Sequence, residues 1–331
     1  MRARPRYAKV YYYLDTGARP RKEIPLGTDY AVAVKRWAEL TAAAPCPADP
    51  LTFKAVADRY RREVIPTKAP RTQDDNIFEL ENLLKVFADA PLDAIEPQHV
   101  QQYLEHRKAA PVRANREKAL LSHIWNKARS WGYTTLANPC QGIRGYTERG
   151  RDVYIEDEVY AALYEAANGP VRDAMDLAYL TGQRPADTLR MQETDLRNGY
   201  LEVAQAKTGE KLRIAVSGQL AALIGRILEA KKRHAVRSLA LVCNEAGGRL
   251  TASALDNRWD HVRRRAEARH PKLRDQIERA QFRDLRAKAA TDKADDAGDI
   301  RQAQAQLGHR SVVMTETYVR KRRGTKVTPT R

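Results

Sequence analysis

The sequence predicts a mainly α-helical protein with small β elements, an α+β fold. Apolar residues recur at three- and four-residue spacing over most of the chain, which is typical of amphipathic helices. Short strand-like runs that flank turn residues occur near the N-terminus and again after residue 200. Because 331 residues exceed one ordinary domain core, we expect two domains and a small third unit.

Residues 1–45 predict a small separate unit. An apolar, aromatic run at 10–14 and a second run at 23–26 flank turn-forming residues, which favours a β-hairpin. Helical spacing follows over 31–40, and the proline-rich segment 44–50 ends it. Nine basic and four acidic residues give this unit a net charge of +5. It is therefore either a solvated basic arm or a DNA-contacting module.

The remaining chain divides into a helical domain, a second domain and a tail. Residues 50–140 predict helices throughout, with Thr52 as the first cap, and we assign their apolar stripes to a core. A glycine- and proline-containing linker at 138–154 precedes the second domain, 150–322. That domain combines helices with two short strands, at 200–205 and 211–216. Residues 323–331 form a basic tail.

The charge of the chain indicates a polyanionic partner. The 59 Lys and Arg residues against 42 Asp and Glu give +17, and such a surplus favours nucleic acid through counterion release. No apolar stretch is long enough for a membrane span or a secretion signal, so we expect a soluble, cytoplasmic protein with no membrane partner. Cys46, Cys140 and Cys243 lack paired spacing and are interpreted as reduced structural thiols.

Four segments of the second domain carry the residues that predict chemistry. Taken singly, each has an ordinary explanation, such as a surface charge, a turn lysine or a structural tyrosine. Their order and spacing are more informative than any one of them. The segments are LTGQRPADTLRM (180–191), AKTGEKL (206–212), FRDLRAKAAT (282–291) and LGHRSVVMTETYVR (307–320).

Together these segments resemble the signature of the tyrosine recombinase family, of the phage-integrase type. The resemblance covers residues 155–320 well and the preceding helical domain more loosely. It implies a site-specific DNA recombinase that cleaves and rejoins DNA through a 3′-phosphotyrosyl bond. Residues 50–140 would then be a core-binding domain, residues 1–45 an arm-type DNA-binding unit and residues 150–322 the catalytic domain.

The chemistry of that reaction explains the residue types. A five-coordinate phosphorus carries extra negative charge on its non-bridging oxygens, which Arg184 and Arg286 would meet with forked, permanently charged donors. A phenol with an ordinary pKa of about 10 needs such a cationic pocket to become the nucleophile, and the resemblance assigns this role to Tyr318.

Three further residues take their roles from the resemblance. His309 matches a phosphate-contacting hydrogen-bond donor, and Asp187 matches an acidic residue that orients its catalytic neighbours. Lys207, on the turn between the two predicted strands, matches the lysine that protonates the departing 5′-oxygen. No metal site and no cofactor are expected, because no metal-ligand spacing or nucleotide-binding loop is present.

One position departs from the family pattern. Most relatives carry His where this sequence has Arg283, three residues before Arg286. We expect both arginines on one face of a helix at 282–290, near the same phosphate. Arginine can donate to phosphate but cannot accept a proton, so an acid-base role at this position is in doubt.

The expected partners are double-stranded attachment sites and three further copies of the chain, as a homotetramer on DNA. The sequence does not decide whether a DNA-bending protein or an excision factor takes part. The expected location is the nucleoid of a bacterial host cell. Two alternatives stay open: a chromosome-dimer or mobile-element recombinase of the same chemistry, and a DNA-binding protein on this scaffold that no longer cleaves.

Overall fold

A computed structural model describes residues 1–6, 9–15, 23–41, 51–148 and 150–323. The chain divides into two compact units, Met1–Arg149 and Gly150–Arg331. Helices dominate both units, and each unit holds a small antiparallel sheet. The predicted fold class is therefore confirmed. This division does not separate residues 1–45 from the helices that follow, and the assignment of three functional domains stays a prediction.

The N-terminal sheet has three antiparallel strands: β1 (Arg2–Arg6), β2 (Lys9–Asp15) and β3 (Glu23–Gly27). The predicted hairpin corresponds to β2 and β3, while its turn and the proline-rich segment lie outside the described residues. Strand β1 was not expected, because its sequence RARPR has no apolar alternation. Helix α1 (Tyr30–Thr41) follows and packs on β3.

Four helices form the rest of the first unit: α2 (Phe53–Glu63), α3 (Pro70–Phe87), α4 (Pro97–His106) and α5 (Pro111–Ser130). Thr52 caps α2 as expected, since its hydroxyl accepts a hydrogen bond from the Ala55 amide. The three later helices each begin with proline, which fits the first turn because its missing N–H has no helical partner there. Their apolar faces enclose one core that includes Trp125.

A buried carboxylate joins three of these helices, α3, α4 and α5. Glu117 on α5 is fully buried and accepts two hydrogen bonds from Arg107, at 2.7 and 2.9 Å. Tyr103 and Asn82 donate to the same carboxylate at 2.8 and 3.0 Å. Burial alone would raise the pKa of Glu117, but the hydrogen bonds from Arg107 and Tyr103 outweigh burial and hold this pKa below its ordinary value.

Along the chain, the second unit begins with three helices, continues with a small sheet and then adds a fourth helix. Strands β4, β5 and β6 pair antiparallel in that order, and β5 and β6 match the two predicted strands within one residue. These elements are α6 (Asp157–Ala166), α7 (Gly169–Thr181), α8 (Pro185–Thr188), β4 (Leu196–Arg197), β5 (Tyr200–Ala204), β6 (Lys211–Ala215) and α9 (Gly218–Lys231).

Five more helices complete the unit. Helix α12 packs against α7, α13 and α14, which places it at the centre of the segments that the sequence singled out. A separate apolar core lies among α6, α7, α9, α10 and the sheet. The helices are α10 (Ala252–Arg269), α11 (Arg274–Arg279), α12 (Leu285–Ala297), α13 (Ile300–Leu307) and α14 (Val312–Arg323).

Cys140 and Cys243 are buried free thiols. Burial raises the pKa of Cys140 to about 12, which fits an unreactive structural thiol. Cys46 lies outside the described residues.

Within the described residues, no helix has both the length and the apolar character that crossing a membrane requires.

We predict that Glu117→Ala lowers the free energy of unfolding of the first unit by about 2–4 kcal/mol, because it leaves Arg107 and Tyr103 without their buried acceptor. Denaturant unfolding followed by tryptophan fluorescence measures this change. The matched control is Glu81→Ala, which removes an exposed glutamate 3.8 Å from Arg61 and should cost less than about 1 kcal/mol. Equal losses for the two variants would contradict the prediction.

Candidate active site

Arg184 enters the site from the end of α7. Gly182 ends that helix with φ +67°, a left-handed conformation that glycine adopts at little cost. A Cβ at Gly182 would also lie 3.3 Å from the side chains of Gln306 and Leu307. The chain then turns, and Arg184 becomes the residue before α8, with its side chain 20% exposed.

Arg286, on the first turn of α12, is the buried centre of the site. It is 2% exposed, and its guanidinium donates to the Gly182 carbonyl at 2.7 Å and to the Leu307 carbonyl at 2.8 Å. Burial and then the charge of Arg184 lower the pKa of Arg286 to about 10, while Tyr318 and Asp187 oppose the shift. The guanidinium is therefore charged at neutral pH.

His309 follows α13 and receives a hydrogen bond from Arg286. Arg286 Nη2 lies 3.1 Å from His309 Nε2, and a guanidinium can only donate, so Nε2 is the acceptor. The proton of the neutral ring is then on Nδ1, which donates to Thr315 Oγ1 at 3.0 Å. Burial, Arg286 and Arg184 together lower the pKa of His309 to about 4.

Tyr318 reaches the same cluster from α14. Its ring centroid lies 5.4 Å from that of His309, and the half-buried side chain packs against a small apolar cluster of Ala290, Ala303 and Leu307. Helix α14 contacts both α12 and α13, and this packing fixes the direction from which the tyrosine approaches. The structure thus brings a phenol, an imidazole and a buried guanidinium together.

Asp187 links Arg184 to the turn between β5 and β6. One carboxylate oxygen accepts a hydrogen bond from the Ala206 amide at 2.8 Å, and the other lies 3.8 Å from Arg184 Nη1. Lys207 follows Ala206 on this turn. Its side chain is exposed and makes no hydrogen bond or ion pair with the part of the chain that the structure describes. The turn is therefore tied to the site, and the lysine side chain is left accessible.

The expectation for the surroundings of Arg283 is wrong in one respect. The α-helix predicted at 282–290 begins only at Leu285. Residues 282–284 form a 3₁₀ turn instead, which Gln281 and Asp284 cap with reciprocal hydrogen bonds to each other's backbone amides. Arg283 lies in the preceding 3₁₀ turn and is exposed, whereas Arg286 is buried. The two arginines consequently do not share a face of that helix.

Two glutamines belong to the site that the sequence analysis did not identify. Gln183 and Gln205 are each 1% exposed, and Gln205 Nε2 donates to Gln183 Oε1 at 2.8 Å. Gln205 also accepts from Arg184 Nη1 at 2.9 Å. One signal was available: Leu201, Val203 and Gln205 alternate along β5, so a polar residue stands where the strand pattern predicts a buried one.

The arrangement suits a tetrahedral or five-coordinate oxyanion. Arg286 Nε is buried and has no hydrogen-bond partner among the described residues, so one donor remains for a ligand. Arg184 is partly exposed beside it, and Arg283 and Lys207 offer further accessible cations. Among the described residues, no group of three or more His, Cys, Asp or Glu side chains has a metal-binding arrangement.

The chain is similar in sequence to known proteins. The family model described as "Phage integrase family" matches residues 154–324 of the chain. The integrase of Escherichia phage HK022 is 28% identical over 283 residues, which cover 82% of this chain and 76% of that protein.

Two solved structures are similar over nearly the whole chain. A lambda integrase dimer bound to a COC′ core site has a TM-score of 0.72 at 22% identity and covers 99% of this chain and 97% of its own. A lambda integrase tetramer bound to a Holliday junction has a TM-score of 0.72 at 21% identity, covering 97% and 95%. These two likenesses show the fold.

We predict that His309 is neutral and carries its proton on Nδ1 in the DNA-free protein throughout the neutral pH range. Nitrogen-15 NMR of the imidazole should show a titration midpoint near 4, with the signal assigned by its absence in His309→Gln. Because the unfolded chain binds a proton near the ordinary pKa of about 6.5, stability should fall as the pH is lowered from there towards 4. A midpoint near 6.5 would contradict the prediction.

Proposed function

This chain belongs to the phage integrase family, and from that premise we propose that it recombines DNA sites with Tyr318 as the nucleophile. It is a tyrosine recombinase, an enzyme that cleaves and rejoins DNA at specific sites. The assignment of individual residues to steps of this reaction is our proposal. The observation that carries it is the cluster in which Tyr318 lies against His309 and His309 accepts a hydrogen bond from Arg286.

In the cleavage step, the Tyr318 oxygen attacks the scissile phosphorus and passes its proton to a solvent water. The bond from phosphorus to the 5′-oxygen breaks, and a 3′-phosphotyrosyl bond forms. The leaving 5′-oxygen gains a proton, for which the accessible Lys207 is the proposed donor. Rejoining reverses these transfers with another 5′-hydroxyl, so the energy of the phosphodiester is kept in the tyrosyl ester and no nucleotide cofactor is consumed.

Arg184 and Arg286 stabilise the charge that develops on the non-bridging oxygens. Arg286 has an unused buried Nε donor, and Arg184 keeps one side open to solvent. His309 is the third proposed donor. Its Nε2 accepts from Arg286 in the free protein, but the Thr315 hydroxyl can donate as well as accept. A shift of the ring proton to Nε2 is therefore possible when a phosphate oxygen arrives.

The proposed substrate is double-stranded DNA carrying attachment sites. The +17 charge supports this, and so does the likeness to lambda integrase, which has been solved bound to a COC′ core site. We propose a tetramer on paired sites, as lambda integrase forms on a Holliday junction. Residues 1–45 would bind arm-type sites, residues 50–140 the core site, and the enzyme would act on the DNA of a bacterial cytoplasm.

We predict that Tyr318→Phe abolishes cleavage of a nicked core-site DNA and leaves DNA affinity nearly unchanged, because it removes one oxygen and no charge. Denaturing gels detect the covalent adduct, and mass spectrometry maps it to the peptide with Tyr318. Tyr200→Phe is the matched control, since Tyr200 is an exposed tyrosine of the same unit that stacks on Arg213. An adduct on any other tyrosine would falsify the assignment.

We also predict that Arg283→Ala slows single-turnover cleavage by about 10- to 1000-fold, as expected for the loss of one donor to a transition-state oxyanion. Stability should be unchanged, since the exposed side chain contacts no described residue by hydrogen bond or ion pair. The control is Arg233→Ala, which removes an exposed arginine after α9. If Arg283→Ala cleaves as fast as the control, Arg283 has no part in the active site.

A further inference from the structure

Gln205 is a buried amide at the point where three segments of the site meet. It directly follows β5 and is 1% exposed, so it is not available to contact DNA. Burial of an amide costs free energy unless hydrogen bonds satisfy its atoms. Its partners therefore indicate why the position holds glutamine.

All four hydrogen-bonding positions of this amide are occupied. Oε1 accepts from Arg184 Nη1 at 2.9 Å and from Thr208 Oγ1 at 2.8 Å. Nε2 donates to the Leu307 carbonyl and to Gln183 Oε1, both at 2.8 Å. A guanidinium only donates and a carbonyl only accepts, so a 180° rotation of the amide would lose both contacts. The orientation of the amide is thus determined by its surroundings.

The four partners lie in three catalytic segments, since Gln183 and Arg184 are neighbours in the first of them. Thr208 is next to Lys207 on the turn between β5 and β6, and Leu307 lies two residues before His309. The same Leu307 carbonyl also accepts a hydrogen bond from Arg286. Gly308 adopts φ +63°, and a Cβ there would lie 3.0 Å from Gln205 Nε2. The close approach of these segments therefore depends on both a glycine and this glutamine.

We propose that Gln205 is a positioning residue for strand cleavage, which holds Arg184, the turn of Lys207 and the segment before His309 in one arrangement. The proposal rests on the proposed roles of Arg184 and Lys207. Among the described residues, Gln205 supplies the only acceptor within hydrogen-bond distance of the Arg184 guanidinium, since the Asp187 carboxylate is 3.8 Å away. Because the amide is neutral, it fixes the guanidinium and leaves its charge available to phosphate.

The test compares two leaving groups in single-turnover cleavage. One substrate has the ordinary 5′-oxygen, and the other has sulfur at the bridging 5′ position. A thiolate leaves without needing a proton. If a variant only displaces the turn that carries Lys207, its cleavage rate should therefore recover on the sulfur substrate. If a variant displaces Arg184, its cleavage rate should stay low on both substrates. A merely structural loss of active protein would lower both rates equally.

Gln205→Met keeps the length of the side chain and removes all four hydrogen bonds. We expect cleavage of the oxygen substrate to slow by about 10- to 1000-fold, and the sulfur substrate to recover part of this loss. Thr208→Val removes only the contact to the turn, so we expect a loss of about 10-fold or less that sulfur recovers completely. Gln205→Glu keeps an acceptor for Arg184, but it loses both donated bonds and places a negative charge on the guanidinium, so its rate on both substrates should also lie well below that of the unaltered protein.

Glu202→Gln is the matched control on the same strand. Glu202 is 42% exposed and lies 3.8 and 3.9 Å from two surface arginines, so this variant should cleave both substrates at the unaltered rate. Thermal unfolding and DNA affinity are measured for every variant. If Gln205→Met does not fold, Thr208→Val and Gln205→Glu decide the question by the same comparison.

Two results would overturn the proposal. One is cleavage by Gln205→Met, or by both other variants, at the rate of the Glu202→Gln control. The other is an equal loss on the oxygen and sulfur substrates for all altered proteins. Failure of the proposed function is distinguishable from both, because then the unaltered protein and the Glu202→Gln control would form no covalent adduct.

Discussion

The buried charge of Arg286 is the constraint on which the arrangement of the second unit depends. An unpaired charge inside a protein is costly, and this guanidinium is 2% exposed. It donates hydrogen bonds to the carbonyls of Gly182 and Leu307, at the C-terminal ends of α7 and α13, and to the ring of His309. The C-terminal ends of helices carry partial negative charge, so they stabilise a cation without neutralising it. The charge thus remains available to a phosphate.

A second buried cation on the same helix shows the contrast. Lys288 is 2% exposed, and it forms ion pairs with Asp157 and, at 3.1 Å, with Asp292. These carboxylates compensate its charge, so Lys288 serves to fasten α12 to its neighbours. Arg286, two residues earlier, has no carboxylate within 4 Å among the described residues. The kind of acceptor, charged or neutral, therefore separates a structural cation from one that can act on a ligand.

The sequence predicted the helices, the two strands and the order of the site residues, because periodicity and local motifs record them directly. It did not predict β1, whose RARPR sequence has no apolar alternation, or the start of α12 at Leu285, which follows a 3₁₀ turn capped by Gln281 and Asp284. It also missed Gln183 and Gln205. Their importance comes from contacts between segments more than 20 residues apart, and the spacing of residues along the chain does not encode such contacts.

The contacts around residue 283 explain how the site accommodates Arg283, where most members of the family carry His. The neighbouring Asp284 fixes the backbone here, because it is buried and accepts hydrogen bonds from Arg151 and from the Gln281 amide. The Arg283 side chain is exposed and makes no hydrogen bond or ion pair with the described residues, so it takes no part in the network around Arg286. A residue in that position can be exchanged without moving the buried guanidinium, whereas an exchange at Gly182, Gln205 or Gly308 would disturb it. Variation in the chemistry of the site is therefore expected first at its exposed donors and last among the neutral groups that hold its buried charge.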